Sequence, residues 1–161
     1  MKLNYVGIVG AILAFVSIAL PWWTVSVSGA TGDWYLYNAG DYGAGLDLWY
    51  NWVALLLIIL GGVIGLVGTI MPNGKKMLIG GGLLALLSII IFAAGLQMDL
   101  SSHTSTFGIF SSGTIYGISF STYLSYGFWL ALVATVIMLV AMRYPKPTPR
   151  APSPPPPTTG T

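Results

Sequence analysis

Six basic and four acidic side chains share this chain with four long apolar runs, and the charges are sorted by sign. Lys2, Lys75, Lys76, Arg143, Lys146 and Arg150 lie before, between or after the runs. Asp33, Asp41, Asp47 and Asp99 lie in, or at the edge of, the two segments on the other side, and no run contains a charge. A hydrocarbon layer about 30 Å thick takes roughly 20 apolar helical residues to cross. The runs at 3–23, 52–71, 77–96 and 123–142 each have about that length. Basic residues are retained on the cytoplasmic side of a membrane. Lys2, Lys75, Lys76 and Arg143 are therefore the expected topology determinants, with both termini cytoplasmic. The fold class predicted is an all-α membrane protein: a four-transmembrane-helix bundle with a small extracellular β-sheet formed by two outer loops. The membrane domain is expected at 1–143, with outer loops at 24–51 and 97–122 and a Pro-rich cytoplasmic tail at 144–161.

Composition narrows the function classes. A mean hydropathy of +0.81 with 6% charged residues excludes an ordinary soluble domain, whose charged fraction is about a quarter. No basic patch is large enough to point to nucleic acid. Cysteine is absent, so there is no disulfide framework, thiol chemistry or Cys-based metal site. The first run could be read as a signal peptide behind Lys2. No small-x-small cleavage site follows it, and Pro21-Trp22-Trp23 continues the chain, so a retained span is expected.

Spans two and three are joined by Pro72-Asn73-Gly74-Lys75-Lys76. Pro fixes one φ and Asn-Gly takes positive φ, which predicts a tight turn and an antiparallel helical hairpin. Trp22, Trp23, Trp49, Trp52 and Trp129 sit at the outer ends of three runs. Amphipathic rings favour the headgroup layer, so these five are the expected membrane-interface anchors. Gly61, Gly65 and Gly68 repeat at helix-packing spacing and are expected to form a helix-packing or oligomer face.

In the first outer loop, Thr24-Val25-Ser26-Val27-Ser28 and Asp33-Trp34-Tyr35-Leu36-Tyr37 flank a turn at 29–32. In the second, residues 105–110 and 114–120 flank Ser111-Ser112-Gly113. Both read as β-hairpins, and two paired hairpins can make a stable small sheet. The helix–hairpin–helix order would then occur twice, through duplication or through the compositional likeness of apolar spans.

Chemistry-bearing side chains are scarce. His103 is the one histidine, and Asp99 lies four positions before it. Two residues do not define a site, and no Asp, Glu, Lys, Arg or His lies in a span to make a relay. No catalytic residue, metal ligand or cofactor is expected. The tail is expected to be extended and solvated, or to dock a cytoplasmic partner through its polyproline segments.

Ala19-Leu20-Pro21-Trp22-Trp23 followed by Gly45-Leu46-Asp47-Leu48-Trp49 resembles the claudin and peripheral-myelin-protein-like superfamily. That resemblance implies four spans, cytoplasmic termini and an outer sheet. It matches Trp22 or Trp23 to the Trp that closes span one, and Gly45, Leu46 and Trp49 to the Gly-Leu-Trp motif. The cysteine pair of claudins is missing and two residues interrupt the motif, so it implies the layout rather than paracellular sealing. The function expected is that of a non-enzymatic multi-pass protein of the cell (plasma) membrane. It would act in adhesion, envelope organisation or scaffolding through its outer loops. The alternative is an accessory small subunit of a larger membrane enzyme or respiratory complex. Membrane lipids, and a homo-oligomer or other membrane-protein subunits, are the expected partners.

Overall fold

The computed structural model describes residues 3–38, 49–71, 74–103 and 108–143. In chain order the elements are α1 (Tyr5–Ile18), β1 (Trp23–Val27), β2 (Ala30–Trp34), α2 (Trp49–Ile70), α3 (Lys75–His103), β3 (Ser111–Ile115), β4 (Ile118–Leu124) and α4 (Tyr126–Ala141). The helix–hairpin–helix order occurs twice. The helices pack in a ring, α1 on α2, α2 on α3, α3 on α4 and α4 on α1. The two hairpins join into one four-stranded antiparallel sheet in the order β2-β1-β4-β3. Lys2, Asp41, Asp47, Gly45, Leu46, the first expected strand of the second loop up to Phe107, and the tail from 144 lie outside the described residues.

Asn4 starts α1. Its side-chain oxygen accepts from Gly7 N at 3.1 Å, capping the helix. Its amide donates to Ala141 O at 2.9 Å, and its backbone N–H to Thr69 O at 3.3 Å. One buried polar residue thus ties the start of α1 to the ends of α2 and α4. At its other end α1 tightens into i→i−3 bonds, Ala19 N to Val16 O and Leu20 N to Ser17 O, just before Pro21, which cannot continue a helix. The expected run at 3–23 is therefore shortened, and Trp23 opens β1 instead. The run at 123–142 is trimmed the same way, because Tyr123 and Leu124 belong to β4.

The other two helices are longer than their runs. α2 has 22 residues, about 33 Å at 1.5 Å per residue. α3 has 29, about 44 Å, and continues seven residues past 96. Polar Gln97, Asp99, Ser101 and Ser102 lie in this extension. α2 and α3 approach backbone to backbone. A Cβ added to Gly61 would stand 2.7 Å from Gly81 O, and one added to Gly81 would stand 2.5 Å from Gly61 O. Ser88 Oγ donates to Ala54 O across the same seam at 2.7 Å.

Both hairpins close through two residues at positive φ. Ser28 and Gly29 have φ of 50° and 84°, and Tyr116 and Gly117 have 50° and 82°. This is the geometry whose twist matches the flanking strands. The turns expected at 29–32 and 111–113 are thus displaced. Gly113 lies within β3 opposite Phe120, where an added Cβ would meet that ring at 3.1 Å. Across the sheet, Trp23 faces Trp34 on one side and Leu124 on the other.

Candidate functional site: an apolar girdle carrying a two-faced sheet

All four helices turn large apolar side chains outward at helical spacing. On α1 these are Tyr5, Val9, Ile12 and Val16; on α2, Trp52, Leu56, Ile59 and Val63. On α3 they are Leu83, Leu87 and Ile90; on α4, Trp129, Val133, Val136 and Val140. The inward positions mix small residues with large ones: Gly7, Gly10, Ala11, Ala14 and Ser17 on α1; Ala54, Ile58, Gly61 and Gly65 on α2; Leu78, Ala85, Ser88 and Phe92 on α3; Phe128, Ala131, Ala134, Thr135 and Met138 on α4. Two helices, α2 and α3, are long and apolar enough to cross a membrane, and α1 and α4 are shorter apolar helices. Exposed Lys75, Lys76 and Arg143 stand at the end of the bundle away from the sheet.

At the sheet end, one aromatic ring from each quarter of the fold closes the bundle. Trp22, in the link from α1 to β1, packs edge-on against Phe92 of α3 at 5.2 Å and Phe128 of α4 at 5.9 Å. Tyr50 of α2 meets Phe92 at 6.3 Å. Trp22 Nε1 donates to Ser17 O at 2.9 Å, so the ring is buried with its polar edge satisfied. Gly127 leaves room for it: an added Cβ would lie 2.6 Å from Trp22 Cδ1.

The sheet has unlike faces. Strand alternation places Trp23, Val25, Val27, Trp34, Phe120 and Leu124 on one face, and Thr24, Ser26, Thr31, Asp33, Ser119 and Ser121 on the other. The apolar face shares one buried cluster with Leu96 of α3 and Leu100 of its extension. Trp23 stacks edge-on to Trp34 at 5.5 Å and donates from Nε1 to Ile109 O at 3.2 Å. On the polar face Thr24 Oγ1 donates to Asp33 Oδ1 at 2.8 Å.

These positions correct one expectation and decide between the alternatives of another. Trp22 and Trp23 are 0% and 3% exposed, so they hold the sheet to the helix ends and reach no surface. Trp49, Trp52 and Trp129 are 59%, 59% and 48% exposed and remain candidate anchors. The small-residue face packs helix on helix within the chain: an added Cβ on Gly61 would meet Gly81 O and Ala85 N, one on Gly65 would stand 2.8 Å from Met138 Sδ, and one on Gly68 2.8 Å from Gly74 O. With Gly61, Gly65 and Gly68 buried, the helix-packing alternative is the one the fold uses. Sequence reasoning missed Asn4, whose cap position beside Tyr5 was legible, and Phe92 and Phe128, which look like any other apolar residue of a span.

Two hollows remain. One, of about 310 Å³, lies at the hairpin ends among Val27, Ile115, Tyr116, Ile118 and Phe120. The other, of about 200 Å³, lies where α2 begins beside α3, among Trp49, Gly95, Met98, Asp99 and Ser102. Among the described residues no three His, Cys, Asp or Glu side chains gather as a metal site. No protein-family model matches this chain, and no curated protein matches it.

Proposed function

We propose that the protein is a non-enzymatic, four-span membrane protein that presents its sheet on the outer surface as a structural and docking module. The observation that carries this reading is the apolar girdle on every helix, together with close helix contacts at Gly, Ala, Ser and Thr positions. Lipid tails are as apolar as Leu, so helices in a bilayer associate through close packing of small residues rather than by burying large ones. α1 and α4 have 14 and 16 helical residues, about 21 and 24 Å. The flanking residues, Asn4 to Leu20 and Ser125 to Arg143, bring each nearer the thickness of one hydrocarbon core, about 30 Å. Exposed Trp49, Trp52 and Trp129 then mark the outer interface, and Lys75, Lys76 and Arg143 the cytoplasmic one. The layout agrees with the one the claudin-like resemblance implies.

The sheet acts in adhesion, envelope organisation or scaffolding. The accessory-subunit reading draws on the hairpin ends, where Tyr116 is fully exposed and Ile118 half exposed. Apolar side chains standing clear of the fold mark interaction sites. The cysteine-free sequence makes the topology directly measurable. Single cysteines at Thr31 and Ser112 are expected to react with an impermeant maleimide on intact cells. Cysteines at Lys75 and Arg143 are expected to react only after permeabilisation. Labelling of Lys75→Cys from outside sinks the four-span reading. Copurification in mild detergent then separates the two roles: a stoichiometric partner bearing haem, flavin or metal selects the accessory subunit.

A further inference from the structure

We propose that two copies of this chain pair edge to edge through β3, joining their sheets into one continuous antiparallel sheet. Among the described residues β3 is an outer strand, bonded on one side to β4. Alternate residues of an antiparallel strand turn their N–H and C=O to opposite sides. Ser28 N donates to Ser119 O at 2.9 Å, so Ser119 faces β1, and its opposite number Thr114 faces away from β4. Ser112 and Thr114 therefore point their backbone groups off the sheet, and Ser112, Gly113 and Thr114 are all exposed. Such an edge is a template for another strand, and folds guard it with charge, proline or a bulge. The opposite edge, β2, carries Asp33. β3 reads Ser-Ser-Gly-Thr-Ile in unbroken register and carries none of these.

The open edge is self-complementary. A two-fold axis at Gly113 sets Ser112 of each copy opposite Thr114 of the other, where the pair exchanges both backbone bonds. The two Gly113 residues meet at the unbonded position between, where Cα atoms approach to about 4.5 Å. The same register sets Phe110 of each copy level with Tyr116 of the other. Those side chains are 64% and 100% exposed, so their own fold leaves both rings outside. Tyr116 also holds a φ of 50°, a conformation that bulky residues rarely take. Cross-strand aromatic pairs stabilise a sheet, and aromatic anchors dominate interfaces between proteins. An axis that makes two edges neighbours in one sheet stands normal to it, so both apolar faces look the same way. The apolar face is the one packed on α3, and both bundles therefore hang from one side of the joined sheet. Two copies inserted in one bilayer require that arrangement.

The inference names a partner for the docking module proposed above, and rests on that reading only for the shared bilayer. The cysteine-free chain permits a test by register. Two differently tagged forms of the full chain, Ser112→Cys and Thr114→Cys, are coexpressed, and isolated membranes are oxidised with copper phenanthroline. A disulfide between the two forms is expected, since opposite Cα atoms of a bonded pair lie about 5.5 Å apart, within the span of a disulfide. A mixture of Thr31→Cys and Ser112→Cys, both exposed but on opposite edges, is expected to link roughly tenfold less. The second measurement is energy transfer in liposomes between copies labelled at Arg143→Cys, at the far end of the bundle. Thr114→Pro takes an N–H from the open edge and none from the β4 side, and is expected to cut the transfer several-fold. Thr31→Pro on the other edge is expected to leave it unchanged. Tyr116→Gly keeps the turn and deletes the ring, and is expected to lower the transfer as well. Equal linking in the two cysteine mixtures overturns the proposal, as does transfer unchanged in both Thr114→Pro and Tyr116→Gly. Linking of Ser112→Cys to a different protein in place of its own kind overturns it too. A chain that labels as a four-span protein and gives no register-specific link sinks this inference alone. A chain that links in register and fails the topology labelling sinks the four-span reading alone.

Discussion

Around Gly61 the helices meet through backbone and small side chains, with Leu56, Ile59 and Val63 turned outward. A short way along the same chain, beneath the sheet, Trp22, Trp23 and Trp34 are turned inward, and the hydroxyls of Thr31, Ser112 and Thr114 outward. The two regions differ in what they leave outside: large apolar side chains on the bundle, hydroxyls on the outer face of the sheet. In water, burying an aromatic side chain of 150–250 Å² gains roughly 4–6 kcal/mol, so the sheet puts its rings inside. The bundle takes that gain at Tyr50, Phe92 and Phe128 but leaves a row of large apolar side chains outside on every helix. Tyr5, Val9, Ile12 and Val16 on α1 alone, half exposed to water, would forfeit roughly 3–6 kcal/mol. The other three helices repeat the pattern, and a domain is stable by only about 5–15 kcal/mol in total. Such an outer surface suits a medium as apolar as the bundle's interior, which is the membrane reading proposed above, and the outer face of the sheet suits water.

Three substitutions break or sharpen this contrast. The largest effect is expected from Trp22→Ala, which empties the ring cluster where the two regions join. It should cost about 3–5 kcal/mol, read from reversible unfolding in mixed micelles, and should loosen the sheet as well as the bundle. Gly61→Leu comes next. Its side chain would be driven into the Gly81 carbonyl, which belongs to a helix backbone and cannot step aside; a loss of about 3 kcal/mol is expected in the same assay. The smallest effect is expected from Leu56→Ala on the girdle, within about 0.5 kcal/mol. A cost for Leu56→Ala comparable to that for Trp22→Ala would mean that Leu56 is packed against protein, and the contrast would fail.

The helices were legible because charge and hydropathy change together at their ends. The places where the boundaries shifted have a common cause. Hydropathy does not distinguish a side chain facing lipid from one facing a sheet. Trp22 and Trp23 therefore read as the end of a span, although Pro21 stops the helix and the rings turn under β1 and β2. Tyr123 and Leu124 were absorbed into the fourth run for the same reason. α3 was cut short because its last seven residues are polar enough to look like loop, yet helix formation does not require apolar residues once the chain leaves the bundle. The hairpins were visible as alternating segments. Their turns were not, because Gly113 and Gly117 are alike in sequence, and the choice between them depends on Phe120 lying over Gly113. The hollow beside Asp99 had no sequence signal beyond a lone carboxylate near an aromatic-rich helix start. Its partners Trp49 and Tyr50 lie some fifty residues away.

The claim that lipid surrounds all four helices is open to direct measurement. Single spin labels at Val9, Leu56, Leu87 and Val133, one on each helix, can be reconstituted in bilayers and relaxed with oxygen or with a water-soluble nickel chelate. All four are expected to be relaxed strongly by oxygen and weakly by the chelate, with a label at Thr31 showing the reverse. Strong relaxation by the chelate at any of the four would place that helix in water and contradict the account.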